Sequence, residues 1–200
     1  MVTVYRVLNS DPVIKGVIRS TGRLKPLGYK DPYLSLVNSI IYQQLSTKAA
    51  DTIRDRFLDL FKDRHPEPER LKRIPLSRLR TAGLSNQKST YVKNVASFAI
   101  EGGLDLAILK KLNDEELINH ITQVKGVGRW TAEMLAMFAL NREDIFPVTD
   151  LGIRNAVAAL YGMRTTSKTF EKRASKIGAS WQPYRTHACR HLWLWKDSGT

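Results

Sequence analysis

The segment VKGVGR (124–129) carries the strongest chemical signal in the sequence, because a Gly-x-Gly turn here joins two stretches of helical periodicity. Such a turn lets the backbone approach another object closely, and the unpaired amides that begin the second helix point towards it. A phosphate fits this arrangement, with Lys125 and Arg129 adding charge and Thr131 offering a hydroxyl. An ordinary helical hairpin, whose glycines serve only a positive φ, is the alternative.

Asp150 is the second candidate for chemistry. The predicted helix after it has Ile153, Val157 and Leu160 on one face, and Asp150 lies three residues before Ile153 on that same face. A carboxylate at this end of a helix should stay ionised, because the helix dipole and the free amides favour the anion. A simple helix cap is the alternative, although Thr149 would cap equally well.

Two further features are side chains whose polarity does not match their predicted position, an aromatic residue away from a core face and two glutamines within an apolar stretch. Trp193 lies opposite the apolar stripe of the last predicted helix, so it either stacks on a base or packs against a second surface. Gln43 and Gln44 interrupt an apolar stretch that runs from Ile40 to Leu45, where a solvated helix end is the alternative. The four histidines show no convincing metal-ligand spacing.

The composition bounds the class of protein. The 200 residues include 32 Lys+Arg and 19 Asp+Glu, a net charge of +13 that is typical of nucleic-acid binding without being specific to it. With 42% hydrophobic residues and no long apolar run, the chain reads as globular rather than disordered or membrane-spanning. The single cysteine, Cys189, excludes a disulfide framework, a cysteine zinc site and a four-cysteine iron–sulfur cluster. We expect a cytoplasmic (nucleoid) or nuclear protein without a signal peptide.

These candidate residues must be positioned by helices, because no segment alternates with period two for long enough to form a confident strand. The periodicity predicts an all-α fold of nine or ten helices, with Ser10, Ser46 and either Asn113 or Asp114 as helix caps. Residues 65–75 are predicted to form a proline-punctuated connection.

Five motifs then follow one another along the chain: IIYQQLSTKAA (40–50), GLSNQKSTYV (83–92), VKGVGRWTAEM (124–134), DIFPVTDLGI (144–153) and WQPYRTHACRHLW (181–193). In this order and spacing they resemble the helix–hairpin–helix (HhH-GPD) DNA glycosylases, most closely the AlkA/Mag type of 3-methyladenine glycosylase. The resemblance covers roughly residues 10–196. It implies that one unit over 1–200 contains two helical subdomains, about 33–140 ending in the hairpin and about 1–32 plus 141–200, which flank an active-site cleft.

The resemblance implies roles for matching residues at the reacting centre. Asp150 matches the catalytic aspartate, and Trp130 and Trp193 match aromatic residues of the base pocket. We also assign Tyr42 and Gln43 to that pocket.

The resemblance likewise implies a DNA-binding surface. Either Gln44 or Leu45 would fill the space left by the flipped base. The other residues assigned to DNA binding are Lys88, Lys125, Gly126, Val127, Gly128, Arg129 and Thr131. The family also implies a monovalent cation, sodium or potassium, held by backbone carbonyls of the hairpin, which here would be those of Thr122, Val124 and Val127.

The implied activity is that of a monofunctional DNA glycosylase, which flips alkylated purines such as 3-methyladenine out of duplex DNA and hydrolyses the N-glycosidic bond. Trp130 stands where the lyase branch has its Schiff-base lysine, so we expect no lyase activity. Met134 and Leu151 stand where some relatives have aromatic residues, which predicts a narrower substrate range. We expect a monomer with no cofactor beyond the cation.

Three alternatives stay open. The first is a bifunctional glycosylase/lyase for oxidised bases, and the second is a glycosylase for another damaged base. The third is a non-enzymatic helix–hairpin–helix protein that binds DNA or recognises lesions.

Overall fold

The computed structural model describes residues 2–28 and 30–199, and every regular element within these ranges is helical. Its thirteen α-helices are α1 (Val2–Leu8), α2 (Pro12–Thr21), α3 (Pro32–Tyr42), α4 (Thr47–Leu58), α5 (Pro68–Arg73), α6 (Leu76–Thr81), α7 (Asn86–Ile100), α8 (Leu106–Leu109), α9 (Asp114–Thr122), α10 (Arg129–Phe138), α11 (Leu151–Leu160), α12 (Phe170–Ala179) and α13 (Arg185–Asp197). A 3₁₀ turn over Lys62–Arg64 separates α4 from α5. The predicted all-α class is confirmed, and none of these helices has the length and apolar character needed to cross a membrane.

The prediction of nine or ten helices is wrong because the shortest helices leave little periodic signal. Helices α1, α5, α6 and α8 have seven, six, six and four residues, which is too short for an apolar stripe to repeat. The segment 65–75, predicted as a connection, contains α5, which begins at Pro68 and buries Leu71.

The helix caps follow the expected chemistry with one correction. Ser46 caps α4, and Asn113 caps α9 with Glu116 completing a capping box, as predicted. Ser10 does not cap α2: its hydroxyl donates to the Val7 carbonyl, whereas the Asp11 carboxylate accepts from the first amides of α2.

The chain forms two compact units. The central unit is Tyr29–Leu140, and the terminal unit combines Met1–Gly28 with Asn141–Thr200. For comparison, the boundaries expected from the sequence were near residues 33 and 140.

The terminal unit is organised around the Asp11 carboxylate. One oxygen accepts from the amides of Val13 and Ile14, and the other accepts from the Tyr161 hydroxyl at 2.6 Å and the Trp181 indole at 2.9 Å. Burial opposes ionisation of this carboxyl, but the four hydrogen bonds outweigh it and lower its pKa. Asp11 therefore joins α2 to the end of α11 and to the segment before α13.

The central unit is built on α7, its longest helix. Helix α7 packs against α3, α5 and α6, and its buried side chains include Val92, Val95 and Ala96. Helices α9 and α10 pack against each other as the two arms of a hairpin, and α10 also contacts α3. The turn before α10 and the turn after α3 therefore both belong to this unit.

Candidate active site

Asp150 is held at the beginning of α11 by two hydrogen bonds to the same carboxylate oxygen. Its Oδ1 accepts from the Ile153 amide at 2.9 Å and from the Trp193 indole nitrogen at 2.9 Å. The cap that the sequence left as an alternative is therefore real, and Thr149 is not the cap. Capping and an active-site role are compatible, because a cap fixes the orientation of the carboxylate without removing its charge.

Trp193 is brought to Asp150 by the packing of α13 against α11. Its indole donates to the carboxylate, which gives the ring a role beyond the predicted contact with a base. The assignment of Trp193 to the base pocket stays a prediction.

Gly152 makes this contact between Trp193 and α11 sterically feasible, and the sequence analysis missed it. A Cβ at this position would lie 2.8 Å from Trp193 Cδ1 and 3.0 Å from Asp150 Oδ1. The backbone here has no positive φ, so close approach and not conformation requires glycine. The only signal in the sequence was a glycine in the first turn of the predicted helix, two residues after the candidate Asp150.

The hairpin turn, defined as residues 124–129, uses its two glycines differently. Gly126 has a φ of 106°, and a Cβ there would lie 2.2 Å from Tyr91 Cγ, so both conformation and space require glycine. Gly128 has an ordinary φ of −87° and open space around its missing Cβ. Within the described residues no side chain caps α10, so its first amides retain the geometry that suits an anion.

Part of the positive charge that the sequence predicts beside this turn is engaged in ion pairs within the protein. Arg129 donates to both carboxylate oxygens of Glu115, at 2.7 and 2.8 Å, and to Glu133 at 3.1 Å. The hydrogen bonds to Glu115 are the main reason why the pKa of Arg129 is raised. Both carboxylates compete with a phosphate for this guanidinium, and the use of Arg129 as a phosphate ligand stays a prediction.

The other polar side chains of the turn differ in exposure. Thr131 is only 4% exposed and its amide lies in the first turn of α10, so a DNA contact through its hydroxyl stays a prediction. Lys125 is exposed, while Val127 is buried and its amide donates to the Val124 carbonyl. Lys125 and the first amides of α10 are thus accessible to a phosphate.

The segment that the sequence assigned to the space left by a flipped base forms a tight turn, called here the plug turn (Tyr42–Leu45). The Leu45 amide donates to the Tyr42 carbonyl, with Gln43 at φ −50° and ψ 130° and Gln44 at φ 57°. This is a type II geometry, whose third position favours glycine. Gln44 therefore adopts an unfavourable backbone conformation, and both Gln44 and Leu45 are exposed.

Hydrogen bonds to other parts of the central unit hold the plug turn. Lys88 Nζ donates to the carbonyls of Ile41 and Gln43, at 2.8 and 2.7 Å, and Gln43 Nε2 donates to the Gly126 carbonyl at 3.2 Å. The prediction that Lys88 contacts DNA does not fit this geometry, because its ammonium is engaged with the backbone of the same unit.

One cavity of about 590 Å³ in the central unit brings together Trp130, Tyr42, Gln43 and Gln44. Its walls differ in chemistry. Helix α10 contributes the apolar side chains at four-residue spacing Trp130, Met134 and Phe138, and α3 contributes the polar residues Ser35, Asn38, Ser39 and Tyr42. Trp130 is 47% exposed, which leaves a large aromatic surface at the cavity.

The polar wall contains residues that the sequence analysis missed. Ser35, Asn38 and Ser39 offer hydroxyl and amide groups beside an aromatic surface, the combination found in sites for flat heteroaromatic ligands. The Tyr42 hydroxyl donates to Asp51, and this hydrogen bond raises its pKa. The signal in the sequence was a polar stripe at helical spacing on α3, opposite the apolar residues that indicated the helix.

Comparison with known proteins identifies the family of the chain. Residues 37–183 match the model of the HhH-GPD superfamily of base excision DNA repair proteins. The chain is 35% identical over 185 residues to DNA-3-methyladenine glycosylase 1 of Schizosaccharomyces pombe, which covers 90% of this chain and 80% of that protein.

Solved structures give the same result. A DNA-3-methyladenine glycosidase from Bacillus halodurans superposes with a TM-score of 0.86 at 36% identity, covering 98% of this chain and 89% of that one. The S. pombe 3-methyladenine DNA glycosylase in complex with abasic DNA gives 0.83 at 32% identity, covering 99% and 97%. The chain therefore belongs to the HhH-GPD superfamily of base excision DNA repair proteins.

Proposed function

We propose that this protein is a monofunctional DNA glycosylase that removes alkylated purines, such as 3-methyladenine, from duplex DNA. The observation that carries the proposal is the Asp150 carboxylate, fixed by the Ile153 amide and the Trp193 indole at the beginning of α11. The names of the S. pombe and B. halodurans relatives support alkylated bases as the substrate class and DNA as the partner.

Binding would start at the DNA backbone. The amides of α10 and the exposed Lys125 contact phosphates and fix the position of the duplex without reading its sequence. Residue Gln44 or Leu45 of the plug turn then enters the stack and fills the gap left by the flipped nucleotide, which offsets part of the unstacking cost.

The cavity beside the plug turn would take the extruded base. Alkylation at N3 or N7 makes a purine cationic, and stacking of this cation on Trp130 is worth roughly 0.5–2 kcal/mol. The hydroxyl and amide groups of Ser35, Asn38 and Ser39 supply hydrogen bonds to the edge of the base.

Hydrolysis would then proceed with little acid catalysis. The C1′–N bond breaks with its electron pair leaving on the base, which makes the departing purine neutral. Positive charge develops on the sugar, and the Asp150 carboxylate stabilises it electrostatically. Water adds its oxygen to C1′ and loses a proton, for which the carboxylate is a suitable acceptor.

Two finer points belong to the same proposal. Trp130 occupies the position of the lyase lysine, so no Schiff base forms and borohydride should trap no covalent adduct with DNA. The carbonyls of Thr122, Val124 and Val127, at the negative end of α9 and in the hairpin turn, would supply the oxygen ligands that sodium or potassium prefers. When bound, such a cation would add positive charge facing a phosphate.

Asp150→Asn tests the proposal, because asparagine caps helices as well as aspartate and its carbonyl can still accept from the Ile153 amide and the Trp193 indole while the negative charge is removed. We expect release of alkylated bases, identified by mass spectrometry, to fall by about 10²–10³-fold or more. Binding to undamaged duplex should change little.

Asp105→Asn is the matched control, because Asp105 caps α8 through the Ala107 amide and is assigned no role in the reaction. Full activity of Asp150→Asn would refute the assignment of Asp150. A wild-type protein that binds DNA but releases no base would instead indicate a non-enzymatic DNA-binding module.

A further inference from the structure

Lys88 lies where a partly buried ammonium can restrain the end of a helix. It belongs to α7, and its Nζ donates to the carbonyls of Ile41 and Gln43 at the end of α3. Carbonyls at the end of a helix lack helical partners and carry partial negative charge, so a cation binds them well. Partial burial removes water from the ammonium and lowers the pKa of Lys88.

The segment that Lys88 restrains needs a restraint. Gln44 holds a φ of 57° in the plug turn, a conformation that a residue with a side chain seldom adopts in a free chain. The backbone hydrogen bond that closes this turn, from the Leu45 amide to the Tyr42 carbonyl, is long at 3.3 Å. Contacts from outside the turn must therefore contribute to its shape.

The same face of α7 also contacts the hairpin turn. Residues Lys88, Tyr91 and Asn94 follow at three-residue spacing and so lie along one side of the helix. The Tyr91 ring occupies the space that a Cβ of Gly126 would need, and Asn94 Nδ2 donates to the Lys125 carbonyl at 3.1 Å. The Gln43 amide then links the two turns directly through the Gly126 carbonyl.

We propose that Lys88 is a positioning residue that holds the plug turn at a fixed place relative to the hairpin turn, and that it does not bind a phosphate. The effect of this positioning on base release rests on the proposed function, since the relative position of the two turns affects activity only if the protein flips a nucleotide. Because both turns are held by side chains of α7, a phosphate bound at the hairpin turn also fixes where the plug side chain enters the base stack of the DNA.

The test compares Lys88→Met with Lys93→Met. Methionine keeps an unbranched side chain and removes the ammonium in both variants. Lys93 is a matched control because it lies on α7 and its Nζ also donates to a backbone carbonyl, that of Lys72, which belongs to neither turn.

Hydrogen exchange of the free protein measures the restraint without DNA, so it remains informative even if the protein is not a glycosylase. We expect amide exchange over residues 42–46 to accelerate by about tenfold or more in Lys88→Met, as the loss of charge-assisted hydrogen bonds implies, and to be unchanged in Lys93→Met. Unchanged exchange over 42–46 in Lys88→Met would overturn the proposal.

DNA measurements separate positioning from phosphate binding. A lost phosphate contact lowers the salt dependence of duplex binding by about one unit of slope. We expect Lys88→Met to keep the wild-type slope while its single-turnover rate of base release falls by about tenfold or more. If the salt-dependence slope of Lys88→Met were reduced while its rate of base release from bound DNA stayed at the wild-type value, Lys88 would be a DNA ligand and the proposal would be overturned. An inactive wild-type protein would refute the proposed function alone.

Chemical rescue distinguishes positioning from general packing. Alkylation of Lys88→Cys with 2-bromoethylamine forms a thioether with loss of bromide and restores an ammonium, while Cys189 is protected by burial. We expect the treatment to restore slow exchange over 42–46 and most of the rate. An increase in exchange spread evenly over the central unit, with no rescue, would overturn the proposal. If neither Lys88 variant folds, Gln43→Leu tests the second link, and unchanged exchange over 42–46 there would count against the restraint.

Discussion

Gly152→Ala probes how closely Trp193 and Asp150 must be placed. The added methyl would lie 2.8 Å from Trp193 Cδ1, 2.9 Å from its Nε1 and 3.0 Å from Asp150 Oδ1. Ordinary carbon contacts begin near 3.4 Å, so the indole must shift by about 0.6 Å, and the hydrogen bond that orients the carboxylate shifts with it.

The size of the effect follows from this displacement. A misplacement of about 1 Å at a catalytic group costs about 10²-fold in rate, so we expect base release to slow by roughly 10–100-fold, or about 1.4–2.7 kcal/mol in the barrier. Stability should change much less. Alanine gains about 0.5–1 kcal/mol over glycine within a helix, which offsets the cost of moving the ring.

The assay is single-turnover release of 3-methyladenine from methylated duplex, with thermal unfolding measured in parallel. Gly16→Ala is the matched control, because Gly16 lies within α2 and a Cβ there meets no atom within 4 Å. We expect that variant to keep the wild-type rate and to gain about 0.5–1 kcal/mol of stability. A Gly152→Ala protein that retains the full rate would refute the argument that close packing against Trp193 positions Asp150.

Two further predictions concern the plug turn and acid stability. Gln44→Gly should raise the free energy of unfolding by about 0.5 kcal/mol in urea titrations, because relief of the left-handed backbone exceeds the entropy cost of glycine, and a loss of stability would contradict the strain. His191 is fully buried, and desolvation lowers its pKa from 6.5 to about 4. As the pH falls, the histidine of the unfolded chain takes up a proton before His191 of the folded protein does. The contribution of neutral His191 to the free energy of unfolding is therefore complete above pH 6.5 and should decline by about 3 kcal/mol as the pH falls to 4. The glutamine of His191→Gln can still form a hydrogen bond with Thr21, so the urea midpoint of this variant should fall less than that of the wild type between these pH values. A pH profile identical to that of the wild type would exclude His191 as the cause.

The fold could be predicted from the sequence wherever a local pattern was long enough. The caps of α4 and α9 and the apolar stripe of α11 were predictable because helix capping and periodicity depend on residues within a few positions of one another. Helices of four to seven residues escaped, because one or two turns give little repetition and are held mainly by packing.

The site was predictable in its residue types but not in its contacts. The sequence indicated Asp150, Trp130 and the plug turn as candidates. It assigned Arg129 to a phosphate because Glu115, fourteen positions earlier, gives no sign of pairing with it. It assigned Lys88 to DNA for the same reason, since the carbonyls that bind its ammonium are more than forty residues away.

By itself, the sequence determined the helical class, the positive charge, the glycine turn and the carboxylate at the beginning of α11, all of which follow from composition or from neighbours along the chain. The tertiary structure alone decided which charges are neutralised within the protein, which glycines are required by a neighbouring ring, and that the Trp193 indole orients Asp150 across 43 positions. The physical reason is that hydrogen bonds and steric contacts act over a few ångströms in space, and helix packing sets those distances for residues that are far apart in the chain.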